Sequence, residues 1–372
     1  MTRTLAASMR RMNRLMRPAR LSKATRSFHK AMTDILVKSA LGPVADSKAR
    51  TAKPRKAKAP QTGRGPAVRK KPGTARSAAP GEGRATPRVA AAAQFLDRTH
   101  RSAAGARSYK LYLPAGTPRP TGLVLMLHGC KQSPDDFATG TGMNALAEKH
   151  GLAIAYPAQT RGHNAAACWN WFRPGNQRRG AGEPAILASL TRKLTREFNL
   201  ERDRVFVAGL SAGGAMAVIL ADAYPDVFSA AGVHSGLARG AARNVISAMT
   251  AMRRGGVSEG ARPASPPSPC VRRIIFQGTA DSTVHPANAS QIVANVVGGD
   301  AAPARISTRS AGGRGYARSD FTGSDGTVLV ELWIVEGAGH AWSGGHAAGS
   351  YADSKGPNAS AEMIRFFLTK NA

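Results

Sequence analysis

The sequence predicts an α/β fold, a mostly parallel sheet flanked by helices, and three observations carry that expectation. From about residue 109 to the C-terminus, short apolar runs alternate with runs of helical spacing. Arg204-Val205-Phe206-Val207-Ala208 reads as a buried strand and leads directly into Gly209-Leu210-Ser211-Ala212-Gly213, which opens a helix-forming run over 214–223. Two later strand-like runs each end in a loop that carries a titratable side chain, Asp281 after the first and His340 after the second.

The elements follow in order. Residues 109–113 form an early strand, and 122–127, almost wholly apolar, a central one. A helix is expected over 135–150, a strand over 152–156 and a helix over 183–198. The serine-bearing strand and helix come next, then a strand over 228–233, a strand over 271–276, a helix over 289–297, a strand over 328–336 and a closing helix over 358–368. Alternation of this kind implies right-handed crossovers, with a site at the C-terminal ends of the strands. Residues 239–269, rich in Ala, Arg, Gly and Pro, read as an insertion beside the cleft, and nothing in them marks a lid as opposed to a surface excursion.

A strand that turns sharply into a helix holds its serine in a strained backbone, and small residues two before and two after let the chains pass closely. Ser211 Oγ then stands at a helix N-terminus, where the dipole and free N–H groups favour a developing anion. A Gly-rich turn with a merely structural serine is the competing reading of the five residues alone. The downstream order nucleophile, acid, histidine is the order of the α/β-hydrolase fold. Asp281, in the loop Gln277-Gly278-Thr279-Ala280-Asp281, is the candidate acid, and His340, in Gly339-His340-Ala341-Trp342-Ser343-Gly344-Gly345, the candidate base. His285 is too close in sequence to Asp281 for an easy side-chain meeting, and His346 lies beyond the turn. Upstream, strand 122–127 ends in His128-Gly129-Cys130-Lys131-Gln132, so the backbone N–H groups of Cys130 and Ala212 form the candidate oxyanion hole. His128 reads as a brace for that loop.

With these residues in place, the chain from about residue 107 resembles the poly(3-hydroxybutyrate) depolymerase family of esterases, an α/β-hydrolase branch that includes feruloyl and acetylxylan esterases. The resemblance rests on His128-Gly129-Cys130-Lys131-Gln132, Cys168-Trp169-Asn170-Trp171-Phe172, Gly209 to Met216, Gln277 to Asp281 and Gly339 to Gly345. It implies a serine ester hydrolase without cofactor, its catalytic Ser, Asp and His falling on Ser211, Asp281 and His340 and its oxyanion cysteine on Cys130. Gln277 departs from the family pattern, where a histidine commonly precedes the glycine. The expected substrate is a polyester or a small ester, with feruloyl or acetylxylan ester as the alternative. A protein of another class, binding polyester granules or nucleic acid on a hydrolase scaffold, would have no need of all three triad motifs at the required strand ends.

Of three cysteines, Cys130 and Cys168 belong to these motifs. Two readings stand: a disulfide pinning the oxyanion loop to the Trp169 and Trp171 segment, or two reduced thiols of a cytosolic protein. Cys270 reads as a small buried hydrophobe, and no Cys/His spacing suggests a metal site. Trp333 reads as a core residue, whereas Trp169, Trp171 and Trp342 are expected to line the cleft for an apolar or aromatic acyl group.

The formal charge of +31 over 372 residues is uneven, since residues 1–100 hold 24 basic and 4 acidic side chains. That asymmetry points to an arm for a polyanion or a surface. Residues 1–45 show helical apolar spacing (Leu5, Met9, Met12, Leu15; then Leu21, Ala24, Phe28, Ala31, Ile35) with basic faces, as in helices that lie on a surface or pack on the catalytic domain. Residues 46–92, rich in Ala, Pro, Lys and Arg, have too little apolar surface to fold and read as a disordered linker; 93–372 form the catalytic domain. Basic residues interrupt every apolar run near the start, so no signal peptide and no transmembrane segment are read. The resemblance implies an extracellular enzyme; the missing leader implies one acting on stored granules in the cytoplasm.

Overall fold

The computed structural model describes residues 92–116, 119–256, 270–298 and 301–369. The expected arm, with Leu21, Phe28 and Ile35, and the linker up to residue 91 lie outside them, as do residues 257–269 of the expected insertion.

Ten strands make one sheet: β1 (Gln94–Ser102), β2 (Gly105–Leu113), β3 (Gly122–Leu127), β4 (Leu152–Pro157), β5 (Val205–Leu210), β6 (Ala230–His234), β7 (Arg272–Gly278), β8 (Arg305–Ala311), β9 (Arg314–Thr322) and β10 (Val328–Val335). Their order is β1-β2-β4-β3-β5-β6-β7-β10-β9-β8. From β4 through β10 every neighbouring pair runs parallel. Antiparallel pairs β1–β2 and β8–β9 extend the two edges.

Strands β3 and β5 are apolar along their whole length because both faces are covered. In β3, Leu123, Leu125 and Leu127 enter the core on one side, while Val124 and Met126 enter the core on the other. β5 repeats the alternation with Val205 and Val207 against Phe206, Ala208 and Leu210. One side is closed by α3 (Gly182–Phe198), α4 (Ala212–Ala223), α5 (Val245–Arg254) and α6 (Ala287–Val297). The other is closed by α1 (Pro134–Thr141), α2 (Met143–His150) and α7 (Ala359–Leu368), with Phe367 stacked on Phe206 at 4.9 Å between ring centres.

Three local readings change. The single helix expected over 135–150 is two, because Gly142 adopts φ 60° and ends α1 with its N–H on Ala138 O. The edge strands β1, β8 and β9 were not expected; with one or both faces wet they lack the apolar run that marks the centre. The expected insertion begins with a regular helix, α5, started by a capping box in which Asn244 and Ser247 exchange side-chain and backbone hydrogen bonds. Among the described residues, no helix is long and apolar enough to cross a membrane.

Candidate active site

β5 ends at Leu210 and α4 begins at Ala212, so Ser211 is the one residue that makes the turn. Its φ of 58° and ψ of −118° lie in a region that side-chain-bearing residues rarely occupy. The surroundings over-determine this strain. A Cβ at Gly209 would sit 2.4 Å from the carbonyl carbon and oxygen of Gly213, and one at Gly213 would sit 2.0 Å from Leu127 O. Strand, turn and helix therefore pass at a separation only glycine permits, and Ser211 N–H donates to His234 O at 2.9 Å to fix the turn to β6. Ala212, as the first residue of α4, has an N–H with no intrahelical acceptor.

Asp281 follows β7 and His340 follows β10, which are parallel neighbours, so two loops distant in sequence leave the sheet side by side. His340 Nδ1 lies 2.9 Å from Asp281 Oδ2. The other carboxylate oxygen, Oδ1, accepts Thr283 N–H at 3.0 Å and Val284 N–H at 2.8 Å. Burial works to raise the Asp281 carboxyl, but the His340 ring and hydrogen bonds from Val284 N–H and the Ser235 side chain overcome it and hold the group below its usual value. Gln277, where the family pattern commonly has histidine, gives its Nε2 to Asp281 Oδ2 at 3.3 Å and to Val284 O at 3.1 Å. His285 and His346 are turned to other tasks. His285 Nδ1 accepts Ala287 N–H at the start of α6, and the His346 ring packs on Gly142.

Ser211 and His340 line one cleft of about 280 Å³ together with Gly129, Cys130, Met252 and Tyr351. A second hollow of about 330 Å³ adjoins it at Ser211 and Ala212, walled by Trp171, Phe172, Leu237 and Met252. Among the described residues, no charged side chain lines it.

The loop after β3, which carries the candidate oxyanion donor Cys130, is braced from behind. Cys130 and Cys168 form a disulfide, and Lys131 N–H donates to Ala166 O at 2.9 Å. His128 serves as the brace that its position suggested: Gln159 N–H donates to its Nε2 at 3.0 Å, leaving Nδ1 to donate to Gly129 O at 2.7 Å. Burial pushes this ring down to about 4, so it stays neutral. Deeper still lies buried Glu183, a residue that sequence reasoning missed. Its carboxylate accepts from Arg107, Gln159 Nε2, Asn170 Nδ2 and Asn170 N–H, and so fixes the chain on either side of the cystine. An acidic residue in the first turn of an otherwise ordinary helix was its one visible trace.

The expected tryptophan lining needs correction. Trp169 is fully buried with Nε1 on His128 O at 3.1 Å, and Trp342 is buried with Nε1 on Ser360 Oγ at 3.0 Å and its ring against Phe137 and His234. Both loops fold inward because an indole whose N–H finds an internal acceptor is worth more in the core than in a wet cleft. Of the three, Trp171 alone lines a hollow beside Ser211. The cleft residues missing from the sequence reading are Met252, Leu237, Thr283 and Tyr351; none sits in a pattern that distinguishes it from core or loop.

A strained serine between a parallel strand and its helix, with an Asp–His pair on the ends of β7 and β10 beyond β6, defines an α/β-hydrolase. The fold is shared with an acetyl xylan esterase from Aspergillus awamori, with a TM-score of 0.56 at 19% identity over 66% of this chain and 94% of that one. The model of the family described as esterase PHB depolymerase matches residues 107–315, and the chain belongs to that family. Similar curated proteins include poly(3-hydroxyalkanoate) depolymerase C of Paucimonas lemoignei, 32% identical over 62% of this chain and 57% of that protein. The probable acetylxylan esterase A of Aspergillus fumigatus is 28% identical over 57% of this chain and 60% of its own length. The chain thus spans less than two thirds of the length of these relatives.

Proposed function

We propose that this chain is a serine carboxylic ester hydrolase whose substrate is a poly(3-hydroxyalkanoate) or its oligomers, acting through Ser211, His340 and Asp281. The observation that carries the reading is the Asp281–His340 contact of 2.9 Å opening onto the same cleft as a serine strained into the strand-to-helix turn. With Asp281 ionised and bonded to Nδ1, the free ring nitrogen of His340 is the base. It takes the Ser211 proton as Oγ adds to the ester carbonyl, and the oxyanion accepts hydrogen bonds from the N–H groups of Ala212 and Cys130. Collapse passes the proton to the departing alkoxide and leaves an acyl group on Ser211. Water, deprotonated by His340, then adds to the acyl carbon; the carboxylic acid leaves and Ser211 recovers its proton. No step requires a cofactor.

The polyester choice rests on the similarity to the Paucimonas lemoignei protein and on the hollow beside Ser211 walled by Trp171, Phe172, Leu237 and Met252, which suits a short aliphatic acyl unit. The acetylxylan esterase relatives favour a second reading, an esterase of acetylated or feruloylated polysaccharide. Rates on 3-hydroxybutyrate oligomers, amorphous polymer, acetylated xylan and methyl ferulate decide between them. A kcat/KM for the hydroxybutyrate oligomers at least tenfold above the others supports the first reading, and the reverse order replaces it with the second.

A further inference from the structure

Among the described residues, the two hollows that meet at Ser211 share Cys130, Ser211 and Met252 and differ in every other wall. The first holds His340 with Thr283 and Tyr351. The second holds Ala212 behind Trp171, Phe172, Leu237 and Ala248. Ser211 and Cys130 already have places in the proposed chemistry, so Met252 is the shared residue that no step uses. It is buried and firmly held. His285 N–H, from the loop that carries Asp281, donates to Met252 O at 2.7 Å. Asn288 at the start of α6 clasps the same end of α5, its Nδ2 donating to Ala251 O at 3.0 Å and its Oδ1 accepting Gly256 N–H at 3.0 Å. Ala248 lies four residues before Met252 on α5, so the two side chains share a helix face.

The chemistry assigns the hollows. The tetrahedral carbon formed from an ester carries Ser211 Oγ, the oxyanion, the leaving oxygen and the acyl chain. The oxyanion belongs to the N–H groups of Cys130 and Ala212. The leaving oxygen takes its proton from His340, which lines the first hollow and not the second. The alcohol-derived part therefore lies beside Thr283 and Tyr351, and the remaining substituent, the acyl chain, enters the second hollow.

We infer that Met252 is a specificity-determining residue that parts the two ends of the ester, with Ala248 and Leu237 setting the room for the acyl end and Tyr351 the room for the alcohol end. The inference rests on the proposed esterase reading and adds the direction in which a substrate lies. Two ester series test it on the full chain: p-nitrophenyl acetate and hexanoate vary the acyl end, and methyl and benzyl acetate vary the alcohol end. Each result is a ratio of kcat/KM within one preparation, so a partly folded variant is still informative. Ala248→Val should lower the hexanoate-to-acetate ratio by about tenfold and Leu237→Ala should raise it, both leaving the benzyl-to-methyl ratio unchanged. Because the two push one ratio in opposite directions, either decides if the other does not fold. Tyr351→Ala should move the benzyl-to-methyl ratio alone, and Met252→Ala should move both. An alcohol ratio that answers to Ala248→Val, or an acyl ratio that answers to Tyr351→Ala, overturns the assignment; a Met252→Ala protein with either ratio unmoved overturns the role of Met252. If the unmodified chain turns over none of these esters, the esterase reading falls and the inference with it, whereas turnover with unmoved ratios removes the inference alone.

Discussion

Gly213→Ala is a change of one methyl group that should cost this protein both stability and activity. The added Cβ would lie 2.0 Å from Leu127 O, 2.6 Å from Leu127 C and 2.7 Å from His128 O. An ordinary carbon–oxygen contact is above about 3 Å, so the start of α4 must retreat from the end of β3 by roughly 1 Å, and every clashing atom is backbone that cannot rotate away. Overpacking of this kind destabilises by about 1–3 kcal/mol. The catalytic loss should be larger, because the two walls forced apart carry Ser211 and Ala212 on one side and Gly129 and Cys130 on the other, and a misplacement of about 1 Å can lower the rate by about 10²-fold. Urea unfolding together with kcat on a short p-nitrophenyl ester measures both. Gly175→Ala is the matched control, since a Cβ there meets nothing within 4 Å. A Gly213→Ala protein with the kcat and unfolding midpoint of the unsubstituted chain would refute the geometry of the turn.

The Cys130–Cys168 bridge closes a loop of sequence separation 38, and Cys130→Ala should lower stability by about 3–4 kcal/mol while keeping most activity, since the group proposed to act at Cys130 is its backbone N–H. The denatured, unreduced protein should show one reactive thiol, Cys270; three would exclude the bridge. Acid should destabilise the fold early. Burial lowers His128 to about 4 and His234 to about 3 from a usual 6.5, so below pH 6.5 the unfolded chain binds protons that the folded chain refuses. Stability is then lost as pH falls from 6.5 towards 4 and 3, and an unfolding midpoint that is flat between pH 6.5 and 4 would contradict it. Residues 1–92 are proposed to deliver the enzyme to a granule or polyanion surface: a chain starting at Ala93 should hydrolyse soluble esters at an unchanged rate while binding to polyester granules or DNA falls, the DNA part with steep salt dependence. Loss of soluble-ester activity on truncation would assign the arm to the fold instead.

How legible these features were depended on whether their cause is local. The parallel strands announce themselves because burial on both faces demands unbroken apolar runs, as in β3 and β5, and the turn at Ser211 because its close approach demands glycine at 209 and 213. Asp281 and His340 could be placed because loops after parallel strands emerge together. What escaped depends on contacts made across the fold. β1, β8 and β9 pair only at the sheet edges, and their half-wet patterns resemble loops. Glu183 owes its role to partners 13 to 76 residues away, and nothing beside it in the chain marks that role. Trp169 and Trp342 were misplaced for the same reason: a loop tryptophan looks alike in sequence whether its N–H finds an internal acceptor or water.

The central claim, that Ser211 is a nucleophile activated by the His340–Asp281 pair, is tested most directly by intact-mass and peptide analysis after exposure to a serine-directed phosphonate. The account predicts one adduct per chain, on the peptide bearing Ser211, formed slowly in His340→Ala and absent in Ser211→Ala, which should keep its fold and lose hydrolysis by several orders of magnitude. No adduct on the folded protein, an adduct on another residue, or more than about a tenth of the original activity in Ser211→Ala would contradict it.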